Sequence, residues 1–279
     1  MDEPTFSVVV PTYRRPGLLG EAVASVLAQS RRDLECVVVD DAGAPPAAVH
    51  DDPRVRLIRR TSNGGLSAAR NTGIAAARGR YVTFLDDDDV LAPDRLDCAA
   101  EGLRRAPVAI CYRGDHPSGR PGRNRELEGW VHDRIALAPV PHVGQACVAR
   151  EALVTFDERL RSGEEVDWWL RLTRRAPVAT VPRIGYLFRI HDGPRHGSGS
   201  LDRALARIAV LRRHADYFRA HPRAAAFQWR RVGLLAERAD ERAIARRAFG
   251  RSLLLHPDAA AIWHLARLSV PGRAAGAPR

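Results

Sequence analysis

The sequence predicts an α/β fold, in which a mostly parallel sheet is covered by helices on both faces and an α-helical appendage follows. The first observation is that short apolar runs alternate with amphipathic helical stretches in the N-terminal part of the chain, as in parallel sheets buried on both faces. The second is the composition, 45% hydrophobic over 279 residues, which allows one large core with an appendage. The third is that apolar residues from Leu201 onward recur only at helical spacing.

The elements of the first half follow from these runs in chain order. The β-branched runs predict four strands, at FSVVVPTY, LECVVVDDA, VRLIRR and RYVTFL. Between them, two stretches carry apolar residues at helical spacing and predict helices, PGLLGEAVASVLAQS and LSAARNTGIAAARG.

The second half is predicted to continue with fewer strands. Pro93 and Asp94 suit the first turn of a helix, which the sequence PDRLDCAAEGLRRAP would form. Residues 114–129 are rich in Gly, Pro and charged residues, which predicts a long mobile loop beside the ligand-binding site expected at the edge of the sheet. The remaining elements are a strand at VAICYRG, a helix at SGEEVDWWLRLTRRAP, strand material at VATVPRIGYLFRIHD and a flexible joint at GPRHGSGS.

Polar clusters follow three of the predicted strands. They are Thr12-Tyr13-Arg14, Asp40-Asp41 and the four aspartates Asp86 to Asp89, and the carboxyl ends of parallel strands form the ligand-binding edge of such sheets. Crowding four carboxylates either raises their pKa values or requires a cation. In an extended chain Asp86 and Asp88 would face one pocket while Asp87 alternates away. Mg²⁺ or Mn²⁺ carrying substrate phosphates would suit that pair. The alternatives are a solvated acidic turn and a calcium loop.

Five motifs in order resemble those of family 2 glycosyltransferases of the GT-A type, over about residues 5–192. They are VVVPTYRRPGLLGEAVASVLAQ, VVVDDAG, NGGLSAARNTGIAAARGRYVTFLDDDD, APDRL and GEEVDWWLRL. The resemblance implies a Rossmann-like catalytic domain over 1–197, with a nucleotide-sugar half at about 5–97 and an acceptor half at about 98–192. It also implies a nucleotide-sugar donor, a divalent metal, Mn²⁺ or Mg²⁺, and transfer with inversion.

The resemblance assigns roles to the rim residues. Asp88 would be the metal ligand, with Asp86 and His191 near the metal, and Asp86 or Asp87 would touch the ribose. The remaining donor-binding residues implied by the family pattern are Pro11, Thr12, Tyr13, Arg14, Asp40, Asp41 and Arg70, with Asp41 receiving the base of a uridine nucleotide. The alternatives are a helix cap or turn for the aspartate pair and a helix-surface position for Arg70.

The acceptor hydroxyl needs a general base, and the family's Glu-Asp segment supplies it at its second acid. That position is Glu165 in this chain, where the family usually has an aspartate. The extra methylene predicts a reshaped site, substitution by Glu164, or impaired activity, and a salt bridge at a helix terminus is the structural alternative. Trp168 and Trp169 are candidates for stacking on the acceptor side, although at least one is expected in the core.

The predicted function is transfer of a sugar, with a UDP-sugar favoured, to a hydroxyl acceptor that is a glycan, a lipid-linked molecule or a small molecule. FQWRR lacks the Q-x-x-R-W spacing of processive synthases, so one transfer per encounter is expected, in polysaccharide or glycoconjugate synthesis. Competing interpretations are a family member with impaired catalysis that binds a nucleotide sugar or a protein, and a nucleotidyltransferase. The latter is disfavoured because PTYRRPG lacks a Gly-rich phosphate loop. Four adjacent aspartates do not suit a glycoside hydrolase.

The basic charge lies in the C-terminal segment. All 44 basic residues are arginines and the net charge is +11, but without interleaved aromatics no nucleic-acid partner is expected. Residues 201–272 are predicted as an arginine-rich appendage with one tetratricopeptide-like hairpin, and 273–279 as a disordered tail. The predicted inward positions are Val232, Leu235, Ala239, Ala243, Ala248 and Leu253 to Leu255.

The arginine face of the appendage could bind an anionic membrane or a protein partner. No signal peptide or apolar span is apparent in the sequence, which predicts a cytoplasmic protein that is at most peripheral at the membrane. The four scattered cysteines are expected to be buried thiols rather than disulfides or zinc ligands.

Overall fold

The structure is a computed structural model that describes residues 3–189 and 199–269. The described chain separates into two compact units. Unit 1 contains the residues up to Ile135 and those from Val140, and unit 2 contains Ala136–Pro139 and the helices from Ser200 onward. The predicted roles of a donor half and an acceptor half remain predictions.

Unit 1 is built on one sheet of nine strands flanked by helices. Its strands are β1 Phe6–Thr12, β2 Leu34–Asp40, β3 Val55–Arg59, β4 Tyr81–Phe84, β5 Val90–Leu91, β6 Val108–His116, β7 Glu128–Gly129, β8 Ala146–Ala149 and β9 Val178–Arg189. Its helices are α1 Pro16–Leu27, α2 Leu66–Ala76, α3 Arg95–Leu103 and α4 Glu164–Thr173, and short 3₁₀ turns span Ile135–Leu137 and Val143–Gln145. The predicted α/β fold is confirmed.

The sheet has a parallel half and a mixed half. Its strand order is β3-β2-β1-β4-β8-β6-β9-β5, with β7 also paired to β9. The first four strands are parallel, whereas β8 is antiparallel to both β4 and β6. Thr12 pairs with Asp40 at the carboxyl ends of β1 and β2, so the polar residues that follow these strands lie at one edge.

The core lies on both faces of the parallel half, as alternation along the strands requires. Val8 and Val10 of β1 pack with α1 residues such as Val23 in one cluster, and Val37 and Val39 of β2 pack with α2 in another. Because both faces are covered, the strands contain almost no exposed positions, which explains their continuous apolar sequence.

Gly73 brings α2 close to the sheet. A Cβ at Gly73 would lie 2.2 Å from Cγ1 of Val9, so no larger residue fits between this helix and β1. Arg70 lies one turn earlier on the same helix and is fully buried. The close approach therefore delivers a guanidinium to the carboxyl edge of the sheet.

Two local predictions differ from the structure. Residues 114–129 are not a plain loop, because β6 continues to His116 and Gly114 forms a bridge with Pro121. The aspartate run is not extended, because β4 ends at Phe84 and the Asp89 amide donates to the Asp86 carbonyl in a turn. The alternation expected for Asp86, Asp87 and Asp88 is therefore wrong.

The cysteine prediction is corrected for one pair. Cys98 of α3 and Cys111 of β6 form a buried disulfide, whereas Cys36 and Cys147 are buried free thiols, as expected. This pair could not be predicted from local pattern, because the two cysteines are separated by 13 positions and meet only when α3 packs on β6.

Unit 2 contains the helices α5 Ser200–Arg213, α6 Ala215–Ala220, α7 Pro222–Arg238, α8 Arg242–Leu255 and α9 Ala259–Ser269. The predicted hairpin is present, with its turn at Asp240, which has a positive φ of 57°. Val232, Leu235 and Ala248 are buried as expected. None of the helices in the described part of the chain combines the length and apolarity of a membrane span.

The predicted inward face of α8 is wrong in its register. Ala243 is exposed, and Leu254 is 89% exposed, whereas the buried face consists of Ala245, Ala248, Phe249 and Ser252. Phe249 fixes this register because Gly233 on α7 leaves room for its ring. The expected disordered tail and most of the flexible joint lie outside the described residues.

Glu35 joins three segments of the parallel half. Its buried carboxylate accepts hydrogen bonds from Ser7 Oγ at 2.6 Å, from the Arg78 amide at 2.6 Å and from Arg56 Nη1 at 2.8 Å. Burial alone would raise the pKa of Glu35, but these donors lower it below its usual value. The carboxylate is therefore bound in its ionised form.

We expect Glu35→Gln to lower the free energy of unfolding by about 1–3 kcal/mol at pH 7, because buried donors lose a charged acceptor. Since the folded-state pKa is depressed, this contribution is present above the unfolded-state pKa and disappears as the pH falls through the folded-state value. Urea unfolding at pH 7 and at acidic pH measures both effects. Glu151→Gln, at an exposed position, is the control, and an equal loss in both variants would contradict the prediction.

Candidate active site

The aspartate turn is anchored to the end of β1. Thr12 Oγ1 donates to Asp87 at 2.7 Å, and Nη1 of Arg15 lies 3.2 Å from Asp87 and 2.6 Å from Asp88. Burial raises the pKa of Asp87 to about 6, although Thr12 and Arg15 oppose this shift. Asp87 and Asp88 therefore share a cation, while Asp86 faces a different set of groups.

Asp40 and Asp41 are buried and bound to backbone amides. Asp40 accepts from the amides of Gly43 at 2.8 Å and Ala47 at 3.0 Å. Asp41 accepts from the amides of Gly64 at 3.0 Å and Gly65 at 2.7 Å. These bonds fold the loop before α2 against the end of β2.

The predicted wall around the nucleotide base is partly exposed. Pro11 and Thr12 are buried at the end of β1, Tyr13 is half-buried and Arg14 is exposed. The guanidinium of Arg14 lies 4.9 Å from the centre of the Tyr13 ring. Thus Tyr13 and Arg14 are the members of this wall that an entering ligand can reach.

Asp86 lies between two cationic side chains. Nη2 of the buried Arg70 is 2.8 Å from Asp86 Oδ1, and Nε2 of His142 is 3.4 Å from Oδ2. Burial would raise the pKa of Asp86, but Arg70 and His142 hold it well below its usual range. Asp86 is therefore an ionised carboxylate at every physiological pH.

The two glutamates of α4 reach the same place. Arg70 Nη1 lies 3.7 Å from Glu164, and His142 Nε2 lies 3.5 Å from Glu165, which also accepts from the Val143 amide at 3.1 Å. Burial and the charge of Glu165 raise the pKa of Glu164. Two cations thus connect Asp86, which follows β4, to the glutamate pair at the start of α4.

His142 is held as a cation in this cluster. Burial would lower its pKa, but the charge of Glu165 and the hydrogen bond and charge of Asp86 outweigh burial and raise it to about 9. With three carboxylates around Arg70 and His142, the cations offset most of the local negative charge. These cations keep the pKa of the buried Asp86 well below its usual range.

The loop that carries His142 is fixed by three contacts. Trp169 Nε1 donates to the Pro141 carbonyl at 2.7 Å. The fully buried Arg95 donates to the Gln145 carbonyl at 3.2 Å. A Cβ at Gly144 would lie 2.0 Å from the Tyr186 ring, so only glycine allows the loop to pass so close to β9.

Asp89 has a structural partner on each oxygen. Tyr186 donates its hydroxyl to one oxygen, and the Arg189 amide donates to the other at 2.8 Å. Burial and the charge of Asp86 raise the pKa of Asp89 to about 7. Asp89 therefore links the aspartate turn to the last strand of unit 1.

A divalent metal fits the acids of this cluster. Asp86, Asp89 and His142 each offer a ligand atom, and these atoms lie within 4.8 Å of one another. His142 is held as a cation, so its nitrogen could bind a metal only after losing its proton. The carboxylates, together with substrate oxygens, suit Mn²⁺ or Mg²⁺. Asp88, the ligand predicted from the sequence, faces Arg15 instead, and His191 lies outside the described residues.

The acceptor-side assignment of the tryptophans is corrected. Trp168 and Trp169 are both fully buried, and Trp168 stacks on Phe156 with ring centres 5.4 Å apart. Neither ring has a face exposed for stacking on a sugar. Both residues belong to the core, and Trp169 acts on the site only by holding the His142 loop.

Sequence reasoning missed His142, Arg15 and Arg95. A single histidine in PHVGQ carries no spacing signal, and its proximity to the acids depends on how β8 pairs with β4 and β6. Arg15 could have been suspected, because TYRRP follows the first strand directly. Arg95 is one of many arginines, and nothing in its local sequence indicates burial.

Comparison with known proteins places the chain in one family. Residues 7–147 match the family described as Glycosyl transferase family 2. The succinoglycan biosynthesis protein ExoO of Rhizobium meliloti is 33% identical over 76% of this chain and 69% of its own length. The putative colanic acid biosynthesis glycosyl transferase WcaA of Escherichia coli is 36% identical over 78% of this chain and 84% of its own length. Three other relatives are longer, and the chain spans 23% to 34% of their length.

Solved structures share the fold. TarS of S. aureus, in complex with UDP-GlcNAc, matches 91% of this chain and 82% of its own with a TM-score of 0.68 and 19% identity. The mannosyltransferase PcManGT of Pyrobaculum calidifontis, in complex with GDP-Man and Mn²⁺, matches 95% of this chain and 79% of its own with a TM-score of 0.60 and 19% identity.

We expect His142 and Glu165 to be energetically coupled, because removing either partner leaves a buried charge without its counterion. In a double-mutant cycle of His142→Gln and Glu165→Gln, the coupling free energy should be about 0.5–3 kcal/mol. Urea unfolding at pH 7 with EDTA measures it without a metal. His142→Gln combined with Glu151→Gln is the control cycle, in which the changes in unfolding free energy should be additive. An equally small coupling free energy in both cycles would contradict the contact between His142 and Glu165.

Proposed function

The chain belongs to glycosyl transferase family 2, and we propose that it transfers a sugar from a nucleoside diphosphate sugar to a hydroxyl acceptor, with inversion and with a divalent metal. The observation that carries this proposal is that carboxylates from two separate segments of the chain are joined by shared cations. Asp86, beside the predicted nucleotide residues, is joined through Arg70 and His142 to Glu164 and Glu165. A donor at the aspartate turn would therefore present its anomeric carbon near an acid able to activate an acceptor.

The donor would bind along the carboxyl edge of the parallel half. Pro11, Thr12, Tyr13 and Arg14 would contact the nucleoside from one side, and Asp40 and Asp41 from the other. Asp86 or Asp87 would meet the ribose, and Arg70 would stabilise the donor side. We favour a UDP-sugar, and the complexes of TarS with UDP-GlcNAc and of PcManGT with GDP-Man support a nucleotide sugar as the ligand class.

Asp86 and Asp88 are the carboxylates we propose for the metal, and Asp89 and His142 are further candidates from the geometry. When bound, the metal would stabilise the charge of the departing nucleoside diphosphate. Arg15 is 2.6 Å from Asp88, so a bound metal would share Asp88 with this cation or replace it. Arg14 and Arg15 could then turn toward the diphosphate.

Glu165 would act as the general base. Its side chain is 26% exposed, against 16% for Glu164, so an acceptor hydroxyl can reach it more easily. Glu165 would take the hydroxyl proton as the acceptor oxygen bonds to the anomeric carbon, while the bond from that carbon to the diphosphate oxygen breaks. Attack from the face opposite the leaving group inverts the configuration. The Val143 amide and His142 would fix the carboxylate for this step.

Polysaccharide synthesis is the proposed context, supported by relatives named for succinoglycan and colanic acid biosynthesis. We propose one transfer per encounter, to a glycan, lipid-linked or small-molecule hydroxyl. We also propose a cytoplasmic location, with peripheral attachment to an anionic membrane or a protein through unit 2. No nucleic-acid partner is proposed.

We expect Asp88→Asn to abolish Mn²⁺-dependent binding of the donor while leaving the unfolding midpoint nearly unchanged, because it removes a charged ligand from an accessible turn. Calorimetric titration of UDP-sugars and GDP-sugars, with and without Mn²⁺, measures this effect and tests the proposed function. Asp89→Asn is the matched variant. Wild-type affinity in Asp88→Asn together with loss in Asp89→Asn would assign the metal to Asp86, Asp89 and His142 instead.

We expect Glu165→Gln to lower kcat by about 10²–10⁴-fold with little change in donor affinity, since a general base acts on the acceptor in the transition state. Release of nucleoside diphosphate in the presence of acceptor gives kcat, and calorimetry gives the donor affinity. Glu164→Gln is the neighbouring control and should retain more activity. Parallel losses of kcat and donor affinity in Glu165→Gln would indicate a structural role.

A further inference from the structure

A group of three arginines in unit 2, which we term the arginine cluster, consists of Arg203 and Arg207 of α5 and Arg231 of α7. Arg203 and Arg207 are four positions apart, so they lie on one face of α5. Arg207 Nη1 donates to the Gln228 side chain on α7, and Arg231 lies three positions after Gln228 on the same face. This hydrogen bond joins the arginine-bearing face of α5 to the face of α7 that carries Gln228 and Arg231. The three guanidiniums therefore lie at one helix–helix contact.

Gln228 is fixed at the centre of this contact. It is 1% exposed, and its Nε2 donates to the Ala136 carbonyl at 3.1 Å. Its oxygen is thereby turned toward Arg207. This buried amide sets the position of Arg207, so the centre of the cluster is fixed by the folded unit, while Arg203 is exposed beside it.

The cluster has no counterion within the described chain. None of its arginines forms an ion pair with a carboxylate among residues 3–189 and 199–269, whereas nearby Arg230 is paired with Asp258 at 3.2 Å. Arg207 Nε is fully buried and has no hydrogen-bond partner. Burial and the like charges of Arg231 and Arg203 lower the pKa of Arg207 to about 10, which still leaves it charged at pH 7.

A half-buried cation with like-charged neighbours and a buried, unused N–H group is unfavourable unless an anion completes it. The guanidinium is planar and offers paired donors that match the oxygens of phosphate. Several guanidiniums around one point provide more donors than a single carboxylate can accept, but a phosphoryl group has enough oxygens for them.

We propose that Arg203, Arg207 and Arg231 form a binding site for a phosphoryl group, separate from the nucleotide-sugar rim of unit 1. The group would be a free phosphate ester or the headgroup of an anionic lipid. This inference does not depend on the proposed sugar transfer, because it uses only side chains of unit 2.

Thermal unfolding of the full chain in inorganic phosphate, at constant ionic strength set with NaCl, tests the site. We expect phosphate to raise the wild-type midpoint by at least about 2 °C and the double variant Arg203→Gln/Arg231→Gln to lose this rise. The matched control is Arg223→Gln/Arg246→Gln, at two exposed positions of the same unit, which should keep it. Phosphate bound at the rim of unit 1 affects all variants equally, so their difference reports the cluster.

A second variant separates binding from folding. Arg207→Met removes the uncompensated cation but keeps a long side chain, and it also leaves the buried Gln228 oxygen without its donor. The midpoint without phosphate therefore reports folding, and we expect no rise of that midpoint with phosphate. A wild-type midpoint that does not respond to phosphate, or an equal response in wild type and the Arg203→Gln/Arg231→Gln variant, would overturn the proposal.

Sedimentation with vesicles identifies the source of the phosphate. Binding to phosphatidylglycerol but not phosphatidylcholine vesicles, reduced at least tenfold in Arg203→Gln/Arg231→Gln and not in the control, would support a lipid headgroup. A phosphate-dependent rise of the unfolding midpoint without vesicle binding would support a free phosphate ester as the ligand. Vesicle binding that is equal in the double variant and the wild type, without any phosphate-dependent rise, would again overturn the site.

Discussion

The buried ion pair between Arg70 and Asp86 is the contact on which the rest of the candidate site depends. A guanidinium that is 1% exposed requires an ionised partner, and Asp86 requires a cation, so each residue fixes the other. Gly73 allows α2 to approach β1 closely enough for this pair to form. The pair then positions the aspartate turn on one side and Glu164 on the other. The aspartate turn after β4 and the start of α4 thus meet around one buried pair of charges.

The site is only partly neutralised before any ligand enters, because Arg15, Arg70 and His142 lie among six carboxylates. Arg15 offsets Asp87 and Asp88, Arg70 and His142 offset Asp86 and the glutamates, and Tyr186 binds Asp89. An entering metal and diphosphate bring charges of both signs, so they can replace existing ion pairs without creating an uncompensated charge. The polar groups are already held by surrounding backbone and aromatic side chains, which reduces the reorganisation that a reaction would require.

The sequence predicted the features that depend on local pattern, and it failed where distant segments meet. The four helices and most strands of unit 1, and the edge at which Thr12, Asp40 and Asp86 gather, follow from periodicity and from the geometry of parallel sheets, whereas β5, β7 and β8 were not predicted. The side-chain directions of Asp86 to Asp88 could not be predicted in this way, because β4 ends at Phe84 and a turn replaces the extended chain. His142, the disulfide between Cys98 and Cys111, and the register of α8 around Phe249 are all set by packing between elements that are not neighbours in sequence.

The loop before α2 would also affect which nucleotide base such an enzyme accepts. Asp41 already accepts two backbone amides, from Gly64 and Gly65, and Arg60 Nε lies 2.8 Å from its Oδ1. A carboxylate offers about four lone-pair directions, so few remain for a heterocycle. Discrimination among bases would then reside in the length and composition of the loop, and evolution could alter it by insertion or deletion there while Asp41 stayed unchanged.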